Sequence, residues 1–112
     1  MATITVKNII PRLQAQNIDT TQYTAVNCTT VIDKFTVTNT TGANVIITIN
    51  LCPSGGTPST ANSVLNSKSI APNETYNCPE LVGQVLSPNG FISTIAGAAS
   101  SLTISASGRE IT

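Results

Sequence analysis

The chain has 112 residues, only 9% of them charged, with five Lys and Arg balanced by five Asp and Glu and no histidine. That length suits one core of ordinary size, and a charged fraction far below the roughly 25% usual in soluble domains leaves a surface made mostly of hydroxyls and amides. It excludes a basic nucleic-acid face, because Lys7, Arg12, Lys34, Lys68 and Arg109 are scattered, and it removes the commonest general base and metal ligand together.

Ile4-Thr5-Val6-Lys7 alternates and predicts a short strand, closed by Pro11, which cannot donate to a ladder. From Arg12 to Asp19 no period is evident, so this stretch reads as an extended arm, with an edge strand around Gln22-Tyr23-Thr24 as the alternative. Residues 1–30 are therefore expected to be an N-terminal strand and arm belonging to the same single domain as a core of residues 31–112. Residues 31–38 are rich in β-branched side chains and predict a strand with Phe35 and Val37 on one face. Asp33 falls on that face too, which calls for a bulge near Val31-Ile32 or an alternation that starts only near Lys34. Residues 36–51 read as a hairpin: alternation through Asn39, a turn at Thr40-Thr41-Gly42-Ala43, then Val45, Ile47, Ile49 and Leu51 on one face.

Cys52-Pro53-Ser54-Gly55-Gly56 opens a loop of turn formers, and it lacks both the Gly-Lys-Ser/Thr ending of a phosphate loop and the Gly-x-Gly-x-x-Gly dinucleotide fingerprint. Residues 63–70 predict another strand, and Ala71-Pro72-Asn73-Glu74 a turn into Thr75-Tyr76. The one helix candidate is residues 79–86: Pro79 at the first position and Glu80 in the first turn favour it, while Gly83 limits it to a turn or two. Ser87-Pro88-Asn89-Gly90 is a turn, residues 91–95 a strand, residues 96–99 a small-residue turn, and residues 101–107 a strand with Leu102, Ile104 and Ala106 inward. The sum is an all-β chain of about six to eight short strands, an antiparallel β-sandwich or small barrel.

Little chemistry is on offer. No stretch approaches the roughly 18 apolar residues of a membrane span, and the N-terminus lacks a basic region followed by an apolar one. The Asn-x-Thr sequons at Asn27, Asn39 and Asn73 then read as by-products of an Asn- and Thr-rich composition. Cys28, Cys52 and Cys78 are odd in number and widely spaced, which favours buried reduced thiols, with a single Cys28–Cys52 or Cys52–Cys78 bridge left open. No serine elbow is present, and Glu74 with Glu80 makes a weak carboxylate pair, because an acid at a helix start is ordinarily a dipole partner. No catalytic, cofactor or metal residues are assigned, and neither nucleic acid nor membrane is expected as a partner. Candidate contacts are instead for assembly: Ile9, Ile10, Arg12 and Leu13 in the arm, Tyr23, and the adjacent opposite charges Arg109 and Glu110, which point to opposite faces. The alternative for the arm is that it folds back on its own core.

Four motifs, 37–43, 70–76, 80–86 and 105–111, resemble a family of small tailed-bacteriophage virion proteins: Val-Thr-Asn-Thr-Thr-Gly-Ala, Ile-Ala-Pro-Asn-Glu-Thr-Tyr, Glu-Leu-Val-Gly-Gln-Val-Leu and Ser-Ala-Ser-Gly-Arg-Glu-Ile. The resemblance covers about two thirds of the chain, and each motif alone is also good turn-and-strand chemistry. It implies a non-enzymatic, multi-copy virion subunit at the head or neck, such as capsid cement or decoration, collar or head–tail adaptor. It further implies synthesis in the bacterial host cytoplasm and partners among capsid, portal or tail subunits and copies of itself. A tail-associated or fibre-tip binding module is the runner-up.

Overall fold

Runs of Thr, Val and Ile too short and too evenly alternating for helices become strands almost throughout. The computed structural model describes residues 2–112, in which nine strands form two antiparallel sheets: β1 (Ile4–Gln14), β2 (Thr20–Thr24), β3 (Thr29–Asn39), β4 (Val45–Cys52), β5 (Ser63–Ile70), β6 (Thr75–Tyr76), β7 (Val85–Leu86), β8 (Phe91–Ala96) and β9 (Leu102–Ile111). The first sheet runs β1-β9-β3-β6, with β7 also on β3, and the second runs β2-β8-β4-β5. With β6 and β7 taken as two halves of one interrupted strand, the pairs β1·β9, β2·β8, β3·β6/β7 and β4·β5 nest inside one another. The chain is one long hairpin with its tip between β4 and β5, wound so that segments alternate between two facing sheets. This is the double-sheet jelly roll.

That winding corrects the expected hairpin of residues 36–51. Its two strands exist with the anticipated inward residues, yet β3 lies in the first sheet and β4 in the second. Alternation reports which side chains face the core, and it is identical whether two apolar faces lie side by side or face each other across about 10 Å. The connection is a corner latched by Asn39, whose buried amide donates to the carbonyls of Ala43 (2.7 Å) and Ile70 (2.9 Å) and accepts from the Thr41 amide (2.9 Å). The turn after β8 is a corner as well, because β8 and β9 belong to different sheets. The two corners are stitched together where Thr40 donates its amide (3.0 Å) and hydroxyl (3.2 Å) to the Ser101 carbonyl.

Two further expectations shift. Pro11 does not end β1, which continues to Gln14 as an edge strand with irregular register on both sides of Ile10, where a missing N–H is tolerated. Residues 79–86 form turns and a short strand and no helix. Gly83, at φ 86°, donates its amide to the Ile32 carbonyl (2.7 Å), and Ile32 donates to Gln84 (2.9 Å), so this segment completes the edge of β3 while Leu81 drops fully into the core. Among the described residues the one helical turn is 3-10, at Thr60–Asn62, inside the Pro- and Gly-rich tip loop. Asn50 anchors it by donating to the Ser59 carbonyl (2.7 Å) and Asn62 Oδ1 (2.8 Å).

Phe35, Val37, Ile47, Ile49, Ile92, Leu102 and Ile104 fill the space between the sheets and are fully buried. The bulge expected near Val31-Ile32 falls between Ile32 and Lys34 in the β3–β9 ladder and turns Asp33 out to solvent. Gly108 lies opposite, so near β3 that a Cβ there would stand 2.3 Å from the Val31 carbonyl oxygen.

Candidate assembly surface

The predicted contact residues divide by the face on which each strand presents them. Ile9 and Ile10 point into the sandwich and are 4% and 1% exposed, and Leu13 packs partly buried against the same core. The arm folds back onto its own chain, so Ile9 and Ile10 stabilise the core and offer nothing to a neighbour. Arg12, one register position away, is exposed.

Tyr23 is also buried. From β2 in the second sheet its hydroxyl reaches across to β3 and β9 in the first, meeting Thr30 Oγ1 (2.7 Å) and donating to Glu110 Oε2. Lys7 Nζ adds an ion pair to the same carboxylate oxygen at 3.4 Å. The Tyr23 hydrogen bond, with Lys7 assisting, holds the Glu110 carboxyl below the usual carboxylate range, while burial and then the bond to Glu110 push the Tyr23 phenol up. This cluster ties the two sheets together at one end of the sandwich. Arg109 points to the opposite face, as alternation requires, and grips the bulged Asp33 with Nη2 to Oδ1 at 3.0 Å and Nε to Oδ2 at 3.1 Å. Both members of the Arg109-Glu110 dipeptide are thus partnered inside the chain.

Glu74 and Glu80 do not converge on a cleft. Glu74 accepts from the Ala71 amide (2.7 Å), which closes its turn, and Glu80 accepts from the Tyr76 hydroxyl (2.7 Å). That bond lowers the Glu80 carboxyl and pushes the Tyr76 phenol up to about 12, and Lys68 lies 5.0 Å over the Tyr76 ring. Cys28, Cys52 and Cys78 are free and buried, and burial raises the Cys78 thiol to about 12, far from a reactive thiolate. Among the described residues no group of three or more His, Cys, Asp or Glu side chains could hold a metal ion, and no helix is long and apolar enough to cross a membrane.

One open feature is a groove of about 380 Å³ on the outer face of the first sheet. Its floor is β9 at Ser105 and Ser107, and its walls are Asn8 and Arg12 from β1 and Lys34 and Thr36 from β3. Thr36 and Ser105 share a hydroxyl hydrogen bond of 3.1 Å across the floor. Arg12 was among the predicted contacts and Lys34 was not. The signal for Lys34 was present in the alternation: with Phe35 and Val37 inward, Lys34 and Thr36 face out, beside the outward serines of β9.

No family model and no curated protein matches this chain. Solved viral particles share its fold. The chain of the infectious bursal disease virus VP2 subviral particle superposes with a TM-score of 0.56 at 12% identity, over 98% of this chain and 32% of that one. A chain of the T13 IBDV viral particle gives 0.51 at 10% identity, over 98% and 30%. This chain therefore spans about a third of the length of each. At such identities the likeness establishes the jelly-roll architecture and transfers no residue roles.

Proposed function

We propose that this chain is a non-enzymatic structural subunit of a virion, present in many copies and assembling with itself and with other virion proteins. The observation that carries this reading is the jelly-roll strand order, matched over 98% of the chain by a chain of a viral particle. The partnering of four of the five carboxylates, Asp33, Glu74, Glu80 and Glu110, inside the fold supports it, since Glu74 and Glu80, the one pair weighed for catalysis, are among them. So does the scarcity of charge, since few charged groups need be stripped of water when such a face is covered.

Within that role we place the subunit at the head or neck of a tailed bacteriophage, as cement or decoration, collar or head–tail adaptor, made in the host cytoplasm and ending in the virion. The support is the set of four motifs, one of which supplies the Asn39 latch and another the Gly108 close approach. A fibre-tip binding module requires an exposed aromatic cluster. Tyr23 and Phe35 are buried and Tyr76 and Phe91 only partly exposed, so no observation favours it.

Native mass measurement and electron microscopy of the purified chain test the structural role, and antibody labelling of phage particles tests the position. Defined oligomers, and label at the head or neck, are expected. A stable monomer that joins no particle overturns the reading.

A further inference from the structure

We propose that the groove between Arg12 and Lys34 is a carboxylate site whose occupant is Asp19 of a second copy of this chain. The inference rests on the assembly reading above and specifies its contact.

The charges single out these residues. Ten side chains are charged. Lys7 pairs with Glu110 and Arg109 with Asp33, Lys68 lies over Tyr76, Glu74 closes a turn on the Ala71 amide, and Glu80 holds the Tyr76 hydroxyl. Three have no partner among the described residues: Arg12, Lys34 and Asp19. The two cations share one groove, while the acid lies elsewhere.

The groove suits a carboxylate. Arg12 offers a planar fork that matches two carboxylate oxygens, Lys34 a mobile point charge from the facing wall, and the Ser105, Ser107 and Thr36 hydroxyls further donors on the floor and wall. No acid of the same copy fills it. Asp19 lies on the exposed connection between β1 and β2, where it borders Thr48, Ser63 and Ile95 of the second sheet. The groove opens on the outer face of the first sheet, so the sandwich separates the two within one molecule. The residue before Asp19, Ile18, is 63% exposed, an apolar side chain that would be covered by the same contact. Joining Asp19 of one copy to the groove of the next is a head-to-tail contact, which closes into a ring or extends as a filament according to the rotation between copies.

Sedimentation of the full chain at low and high salt tests this with two charge reversals, Asp19→Lys and the double change Arg12→Glu with Lys34→Glu. All three positions are exposed, and thermal melting of each variant checks that it folds. Each reversal alone is expected to weaken self-association about tenfold or more, because it sets like charges against each other. Mixing the two variants is expected to restore association, since each then offers the complement the other lacks, and high salt is expected to weaken the wild-type contact. If Asp19→Lys assembles like the wild type, or if the folded variants fail to associate on mixing, the contact is overturned while the assembly reading stands. If the wild type remains a monomer under every condition, the assembly reading falls and this contact with it.

Discussion

Two charged regions of the first sheet lie only a few residues apart on β1 and β9 and have opposite fates. At the end of the sandwich, Tyr23, Thr30 and Glu110 satisfy one another between the sheets, and Lys7 pairs with Glu110 from the exposed rim. In the middle of the outer face, Arg12 and Lys34 flank a groove lined by hydroxyls and meet no acid of their own copy. The difference lies in facing. A polar group turned toward the core must find a partner within the fold or lose its hydration without return, whereas one turned outward is free to wait for a partner. In a chain this poor in charge, the inward groups lock the sheets, and the outward cations without a partner in the fold, Arg12 and Lys34, are available for contact.

The comparison predicts large effects inside and small ones outside. Asn39, at the opposite end of β3 from Thr30, is the strongest inward latch, and Asn39→Ala leaves the buried Ile70 carbonyl without its donor and the corner without its tie. A loss of about 3 kcal/mol in urea unfolding is expected, and a loss below about 1 kcal/mol would mean that the corner holds without its latch. Tyr23→Phe keeps the ring in place and removes only the hydroxyl that satisfies Glu110 and Thr30. It is expected to cost about 2 kcal/mol at neutral pH. Because the folded Glu110 carboxyl is held low, its contribution is fully present above the ordinary carboxylate pKa and is lost as pH falls through the lowered folded value. Glu80 behaves in the same way through Tyr76, so the acid loss belongs to both. The difference between wild type and Tyr23→Phe isolates Glu110: the variant should lose stability less steeply toward acid. Identical acid limbs would remove Glu110 from the lock.

Most of the strands were legible in the sequence, and their arrangement was not. Alternation placed Phe35, Val37, Ile47, Ile49, Leu102, Ile104 and Ala106 inward, because it reports burial directly. It also called for either a bulge near Val31-Ile32 or an alternation that starts only near Lys34, and the bulge is what the fold contains. It could not distinguish two strands side by side from two strands facing across a core, so residues 36–51 read as a hairpin when their turn is a corner, as is the turn at residues 96–99. The pairings that decide the fold join residues far apart, such as Ile4 with Ile111, and no local pattern carries them. The helix expected at residues 79–86 failed for a related reason: its local signals were outweighed by the unpaired edge of β3 and by the pull of Leu81 into the core. For the candidate surface, composition showed that charges were few. Which of them were already partnered depended on contacts between distant strands, such as Arg109 with Asp33, and so Lys34 stayed hidden.

The smallest effects belong to the outer face, and they test the comparison most directly. Arg109→Ala breaks an exposed ion pair with Asp33, and such pairs contribute little because water already solvates both groups, so only a slight fall in the melting midpoint is expected. Lys34→Ala should leave the midpoint of the monomeric chain where it is, since Lys34 has no internal partner to lose. The order matters more than either value. If Lys34→Ala destabilised the isolated chain more than Arg109→Ala, Lys34 would be acting within the fold, and the division between inward locks and outward contacts would collapse at the groove where it matters most.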